Sequence, residues 1–120
     1  MKQLTKTEEE IMQIIWMKGK CMLSEIIEST GNSGTPHSTI SSVVRALEKK
    51  GFVHHKAYGH TYEYFPVIKK EDYAQKGFQN WFSGYFGNSP SSLASFLVKG
   101  KTLKPKEIDE LMEQLKKLKK

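Results

Sequence analysis

The hydrophobic period of this chain changes at Gly51, and that change constrains the fold more than any other feature. Ahead of it, apolar residues recur at helical spacing. Behind it, from Phe52 to Val67, the chain alternates and is rich in β-branched and aromatic residues. Helical segments running straight into a hairpin leave few architectures for a unit this small.

The helical segments carry their own boundaries. Thr5 stands three residues before Glu8, the spacing of a capping box, and Ile11, Ile14 and Ile15 follow at i, i+3 and i+4 with Trp16 beside them. Gly19 closes this helix, expected over residues 5–18. "LSEIIEST" predicts a second, short helix with Leu23, Ile26 and Ile27 apolar and Gly31 as its stop, and "GNSGTP" reads as a loop. The third helix follows Pro36 and ends at Gly51, with Lys49 and Lys50 in its last turn complementing the helix dipole. A strand from Phe52 through Lys56, a turn around Gly59 in "AYGH" and a return strand "TYEYFPV" ended by Pro66 complete a hairpin.

Past residues 67–71 the period is helical again. Phe78, Trp81, Phe82, Tyr85 and Phe86 form a broad aromatic stripe. Ser89 and Pro90 are placed as N-cap and first residue of a shorter helix bearing Leu93, Phe96 and Leu97, which Gly100 ends. Pro105 lies near the start of a last helix with Ile108, Leu111, Met112, Leu115 and Leu118 on one side. The expected fold is mainly α with a small β-hairpin wing. It comprises an N-terminal winged helix-turn-helix over residues 1–68 and a three-helix dimerisation region over 69–120.

The third helix has two unlike faces on a wheel of about 100° per residue. Ile40, Val43, Val44 and Leu47 cluster on one side; Ser38, Ser42, Arg45 and Lys49 cluster on the other, with Ser41 at its edge. Small hydroxyls let a helix approach a groove floor closely and bond to base edges or phosphates. An arginine there can fork onto guanine, the commonest specific major-groove contact. Ser38, Thr39, Ser41, Ser42 and Arg45 are thus the candidates for the major groove of double-stranded DNA, and Lys49, Lys56 and His60 for its backbone, with Tyr58 placed to pack on sugar.

Charge fits this reading only in part. The net charge is +6, but residues 1–67 hold 8 basic and 7 acidic side chains whereas residues 68–120 hold 11 and 6. The near-neutral N-terminal half gives weight to a rival reading, a winged-helix module that binds proteins and no specific DNA sequence. All four histidines fall between His37 and His60, yet no HxxxH or CxxC spacing supports a metal site. No cofactor is expected. No Gly-rich phosphate loop or Ser/His/Asp arrangement gives an enzyme reading. Cys21 is the single cysteine, so no intramolecular disulfide can form; with no apolar run long enough for membrane insertion, a cytoplasmic protein is expected.

The second half holds too few residues to bury its own apolar stripes, because below roughly 70–80 residues a lone core supplies little net stability. A two-fold homodimer solves this. It places Phe78, Trp81, Phe82, Tyr85, Phe86, Leu93, Leu97, Ile108, Leu111, Met112 and Leu115 at the interface and sets two recognition helices on a pseudo-palindromic operator.

Nearly the whole chain resembles the penicillinase repressor family. The stretches that carry the resemblance are "LTKTEEEIMQIIWMKG", "STISSVVRALEKKGFVHHKAYGHTYEYFPVI" and "SSLASFLVKGKTLKPKEIDELMEQLKK". "KKGF" and "EIDEL" in combination are the more specific parts. The resemblance implies a homodimeric bacterial repressor of resistance genes, relieved by cleavage that a membrane-bound sensor protease triggers. Where the family often has Thr-Val-x-Thr-x-Leu-x-Arg-Leu along the recognition helix, this chain runs from Thr39 to Leu47 with Arg45 followed by Ala46 in place of the expected arginine. Where relatives are cut at Asn-Phe, the aligned pair here is Phe96-Leu97. The C-terminal cysteine pairs of a copper-responsive branch have no counterpart.

Overall fold

The computed structural model describes residues 2–30 and 36–118, with the backbone alone for 115–118. Most of the expected "GNSGTP" loop, Gly31 included, and the side chains of Leu115 and Leu118 lie outside the described residues. In chain order the elements are α1 (Lys6–Lys18), β1 (Cys21–Met22), α2 (Leu23–Thr30), α3 (His37–Lys49), β2 (Val53–Tyr58), β3 (Thr61–Pro66), α4 (Lys70–Phe86), α5 (Pro90–Lys99) and α6 (Pro105–Leu118). No helix among the described residues is long and apolar enough to cross a membrane.

The chain packs as two compact units that divide after Gln75. In the first unit, Thr5 Oγ1 accepts from the Glu8 backbone N–H at 3.2 Å and Glu8 Oε1 accepts from the Thr5 N–H at 2.9 Å, the reciprocal capping box. Gly19 ends α1 with φ of +79°, a left-handed value suited to glycine. Ile11, Met12 and Ile15 of α1 meet Ile26 of α2 and Ile40, Val44 and Leu47 of α3 in one core, closed from the hairpin side by Phe52, Val53 and Tyr64.

Two features differ from the sequence reading. The hairpin gains a third strand: β1 pairs antiparallel with β3, Cys21 opposite Tyr64 and Met22 opposite Glu63, giving the order β1-β3-β2. Two residues are too few to show a period, so only pairing reveals this strand. The strands are also longer at the tip. β2 continues to Tyr58, which pairs with Thr61, so the turn tightens to Gly59 and His60, with Gly59 at φ of +66°. Cys21 on β1 is buried, and that burial, with Glu25 adding to it, pushes its thiol up to about 11, so it stays protonated and unreactive at neutral pH.

The first unit takes in the opening turn of α4. Tyr73 packs edge-on against Phe52 with ring centroids 5.5 Å apart, lies 6.0 Å from Trp16, and accepts a hydrogen bond at its hydroxyl from the Leu4 N–H at 2.9 Å. Trp16 Nε1 donates to the Ile68 carbonyl at 2.9 Å. The break in packing therefore falls inside α4, after these contacts, rather than ahead of the helix.

Glu8 has a second partner besides its cap. Lys50 Nζ donates to its Oε1 at 2.6 Å, tying the start of α1 to the end of α3. Burial raises the Glu8 carboxyl, but the Lys50 hydrogen bond, the Thr5 N–H and the Lys50 charge together outweigh burial and leave it below its ordinary value of 4.5. A carboxylate held low contributes stability above pH 4.5 and loses it as pH falls through the lower folded value. Glu8→Gln is accordingly expected to cost about 1–3 kcal/mol at pH 7 in urea unfolding. That difference should narrow as the pH falls below 4.5 and Glu8 takes up its proton; a gap that stays constant as the protein is acidified would show that the carboxylate charge is not the stabilising feature.

The second unit is built from the remainder of α4, α5 and α6. Ser89 Oγ accepts from the Ser92 N–H at 3.2 Å, and Pro90 occupies the first turn of α5. Its rings touch in a chain: Phe78 stacks on Phe82 at 5.4 Å, Trp81 meets Phe86 at 4.9 Å, and Phe86 meets Phe96 at 5.2 Å. None of these residues is fully buried. Phe78, Trp81, Tyr85, Phe96, Leu111 and Met112 are exposed by 38–77%. An apolar groove of about 480 Å³ runs among Phe82, Leu93, Leu97, Ile108, Leu111 and Met112.

Candidate nucleic-acid interface

The two faces of α3 separate in the structure as the wheel requires. Ile40, Val44 and Leu47 are wholly buried and Val43 half-buried. Ser38, Thr39, Ser42, Arg45 and Lys49 are exposed together on the opposite side, while Ser41 is half-buried. Burial of the apolar stripe thus fixes the rotation of the helix and leaves a narrow polar strip free. The start of α1 borders that strip: Thr5 and Glu8 form a shallow groove with Ser38, Thr39, Ser42, Val43 and Ala46. The capping box predicts where α1 begins, but only packing puts that end beside α3.

Arg45 lies along the strip. Its Nη2 donates to Ser41 Oγ at 3.0 Å and its Nε donates to the Ser41 carbonyl oxygen at 3.4 Å. Lys56, Tyr58 and His60 are exposed on the hairpin. Lys56 stands directly across the ladder from Glu63, which tempers its positive field. His60 borders a recess of about 280 Å³ with Met22, Thr61 and Tyr62.

Sequence reading assigned no role to Glu48, and the structure gives it one. Its Oε2 bonds His55 Nδ1 and lies 3.4 Å from His54 Nδ1, joining the last turn of α3 to the first residues of β2. The paired histidines after "KKGF" are the signal that could have found it. The His55 ring also rests 4.4 Å from that of Tyr62, so the base of the hairpin is held from both sides. No group of three or more His, Cys, Asp or Glu side chains among the described residues could hold a metal ion. Among those residues, every buried side-chain nitrogen and oxygen has a hydrogen-bond partner.

A three-helix core, a third helix with an exposed hydroxyl-and-arginine strip, and an adjoining hairpin define a winged-helix protein. The chain resembles the solution structure of the DNA binding domain of the repressor BlaI, with a TM-score of 0.54 and 29% sequence identity, covering 59% of this chain and 88% of that one. Residues 4–117 match the penicillinase repressor family, and the chain belongs to it. It is 28% identical over 116 residues to the methicillin resistance regulatory protein MecI of Staphylococcus aureus strain N315, covering 96% of this chain and 94% of the relative. To the penicillinase repressor of Bacillus licheniformis it is 25% identical over 114 residues, covering 94% and 89%.

Proposed function

We propose that this protein is a transcriptional repressor that binds a pseudo-palindromic operator in double-stranded DNA as a homodimer. The observation that carries the reading is the exposed strip of α3, with Ser38, Thr39, Ser42 and Arg45 clear of the core and Lys49 at its end. In a family of repressors, on a fold shared with a repressor's DNA binding domain, this strip is the surface that enters the major groove. Lys49, Lys56 and His60 meet phosphates and set the register. The second unit supplies the dimer contact. Its exposed aromatic and aliphatic side chains need a cover that a second copy of the same chain provides.

Relief of repression by a sensor protease belongs to the same reading. Phe96 and Leu97 lie inside α5, so a protease acting there must meet the helix opened, as proteases act on unfolded segments.

Selection from a random duplex pool at near-physiological salt tests the proposal. An inverted repeat is expected, its half-sites spaced by whole helical turns. Recovery of no motif, with weak salt dependence, would favour the protein-binding module instead. Lys56→Ala is expected to weaken binding evenly across sequences and to flatten the plot of log affinity against log salt by about 0.9. A loss confined to one base pair would instead make Lys56 a base reader.

A further inference from the structure

Arg45 is exposed, yet it is not loose. Both of its bonds to Ser41 come from one edge of the guanidinium, the edge shared by Nε and Nη2. The other edge, with Nη1 and the second N–H of Nη2, has no partner among the described residues and faces away from the Ser41 backbone. Those end-on donors are parallel, the geometry that matches O6 and N7 of a guanine. Ser41 itself differs from its neighbours. It is half-buried where Ser38, Thr39 and Ser42 are exposed, and its hydroxyl is turned onto the arginine.

Resting on the DNA-recognition reading above, we infer that Ser41 is a positioning residue that holds Arg45 for end-on readout of a single guanine. It is not itself a base contact. An arginine loses much rotamer freedom when it is fixed on a base, and a restraint already present in the free protein lowers that loss. In water the two bonds to Ser41 are individually weak, but in a groove from which DNA has displaced solvent they strengthen. The same arrangement disfavours side-on readout, in which Nε and Nη2 would have to leave Ser41 to span a base.

The test compares the full-length wild type with Arg45→Ala, Ser41→Ala, Ser41→Thr and the Ser41→Ala/Arg45→Ala double variant. Each is run through duplex-pool selection at one salt concentration and then titrated on the selected site and its single-base substitutions. Alanine is the best helix former, so Ser41→Ala keeps α3 intact. Arg45→Ala is expected to lower the preference for guanine at one position of each half-site by roughly 10–100-fold. Ser41→Ala should lower it at that same position by roughly 2–10-fold and leave other positions unchanged. Ser41→Thr, which keeps the hydroxyl, should retain the preference, and the double variant should be no worse than Arg45→Ala. A Ser41→Ala effect at a different position, additive with Arg45→Ala, would overturn the assignment, and so would no effect at all. If the wild type selects no motif, the DNA-recognition reading itself fails and this assignment with it.

Discussion

Leu111→Asp should break the proposed homodimer and leave a 13.8 kDa monomer in analytical ultracentrifugation. Leu111 is 42% exposed on α6 at the apolar groove it lines with Phe82, Leu93 and Ile108, so in the single chain a carboxylate there still reaches water. The cost arises when a second copy covers that face, because a carboxylate without a partner is then removed from water. Operator affinity should fall with the dimer. Two linked half-site contacts gain roughly 10²–10⁴-fold over one through effective concentration, and the monomer forfeits that gain. Binding to an isolated half-site should be unchanged. A variant that remains dimeric with full operator affinity would place the interface elsewhere.

The second large effect is on folding. Phe52→Ala is expected to destabilise the first unit by about 3–5 kcal/mol in urea unfolding, a large share of the roughly 5–15 kcal/mol that holds a small domain together. Phe52 is wholly buried and lies between α3 and β2. Its N–H donates to the Leu47 carbonyl at 3.0 Å and its own carbonyl accepts from the Val67 N–H at 2.8 Å. The backbone bonds survive truncation, but the ring that meets Tyr73 edge-on is lost and leaves a cavity. Phe52→Leu keeps most of the volume and should cost less than about 1.5 kcal/mol. An alanine variant as stable as the leucine variant would mean that the site collapses around the loss.

The features legible in the sequence are those written over a few adjacent residues. Thr5 with Glu8 and Ser89 with Pro90 are local caps, and the structure places both where the spacing requires. The polar strip of α3 was legible because a 3.6-residue period, once Ile40, Val44 and Leu47 are buried, fixes what faces out. The turn came out tighter than expected, since Tyr58 has no alternation partner in sequence and finds one only in Thr61 across the ladder.

Alone, the sequence determined the element order around the hairpin and the chemistry of the candidate recognition face, because periodicity and capping act within a few residues. Tertiary structure decided the remainder. Cys21 and Met22 become a strand only beside Tyr64 and Glu63. Glu8 meets Lys50 across 42 positions of chain. Glu48 finds the two histidines only once β2 folds back beside α3. Tyr73 draws the start of α4 into the first unit. Each of these depends on residues distant in sequence whose meeting is set by burial of the common core, and no local pattern encodes which of many possible partners that burial will bring together.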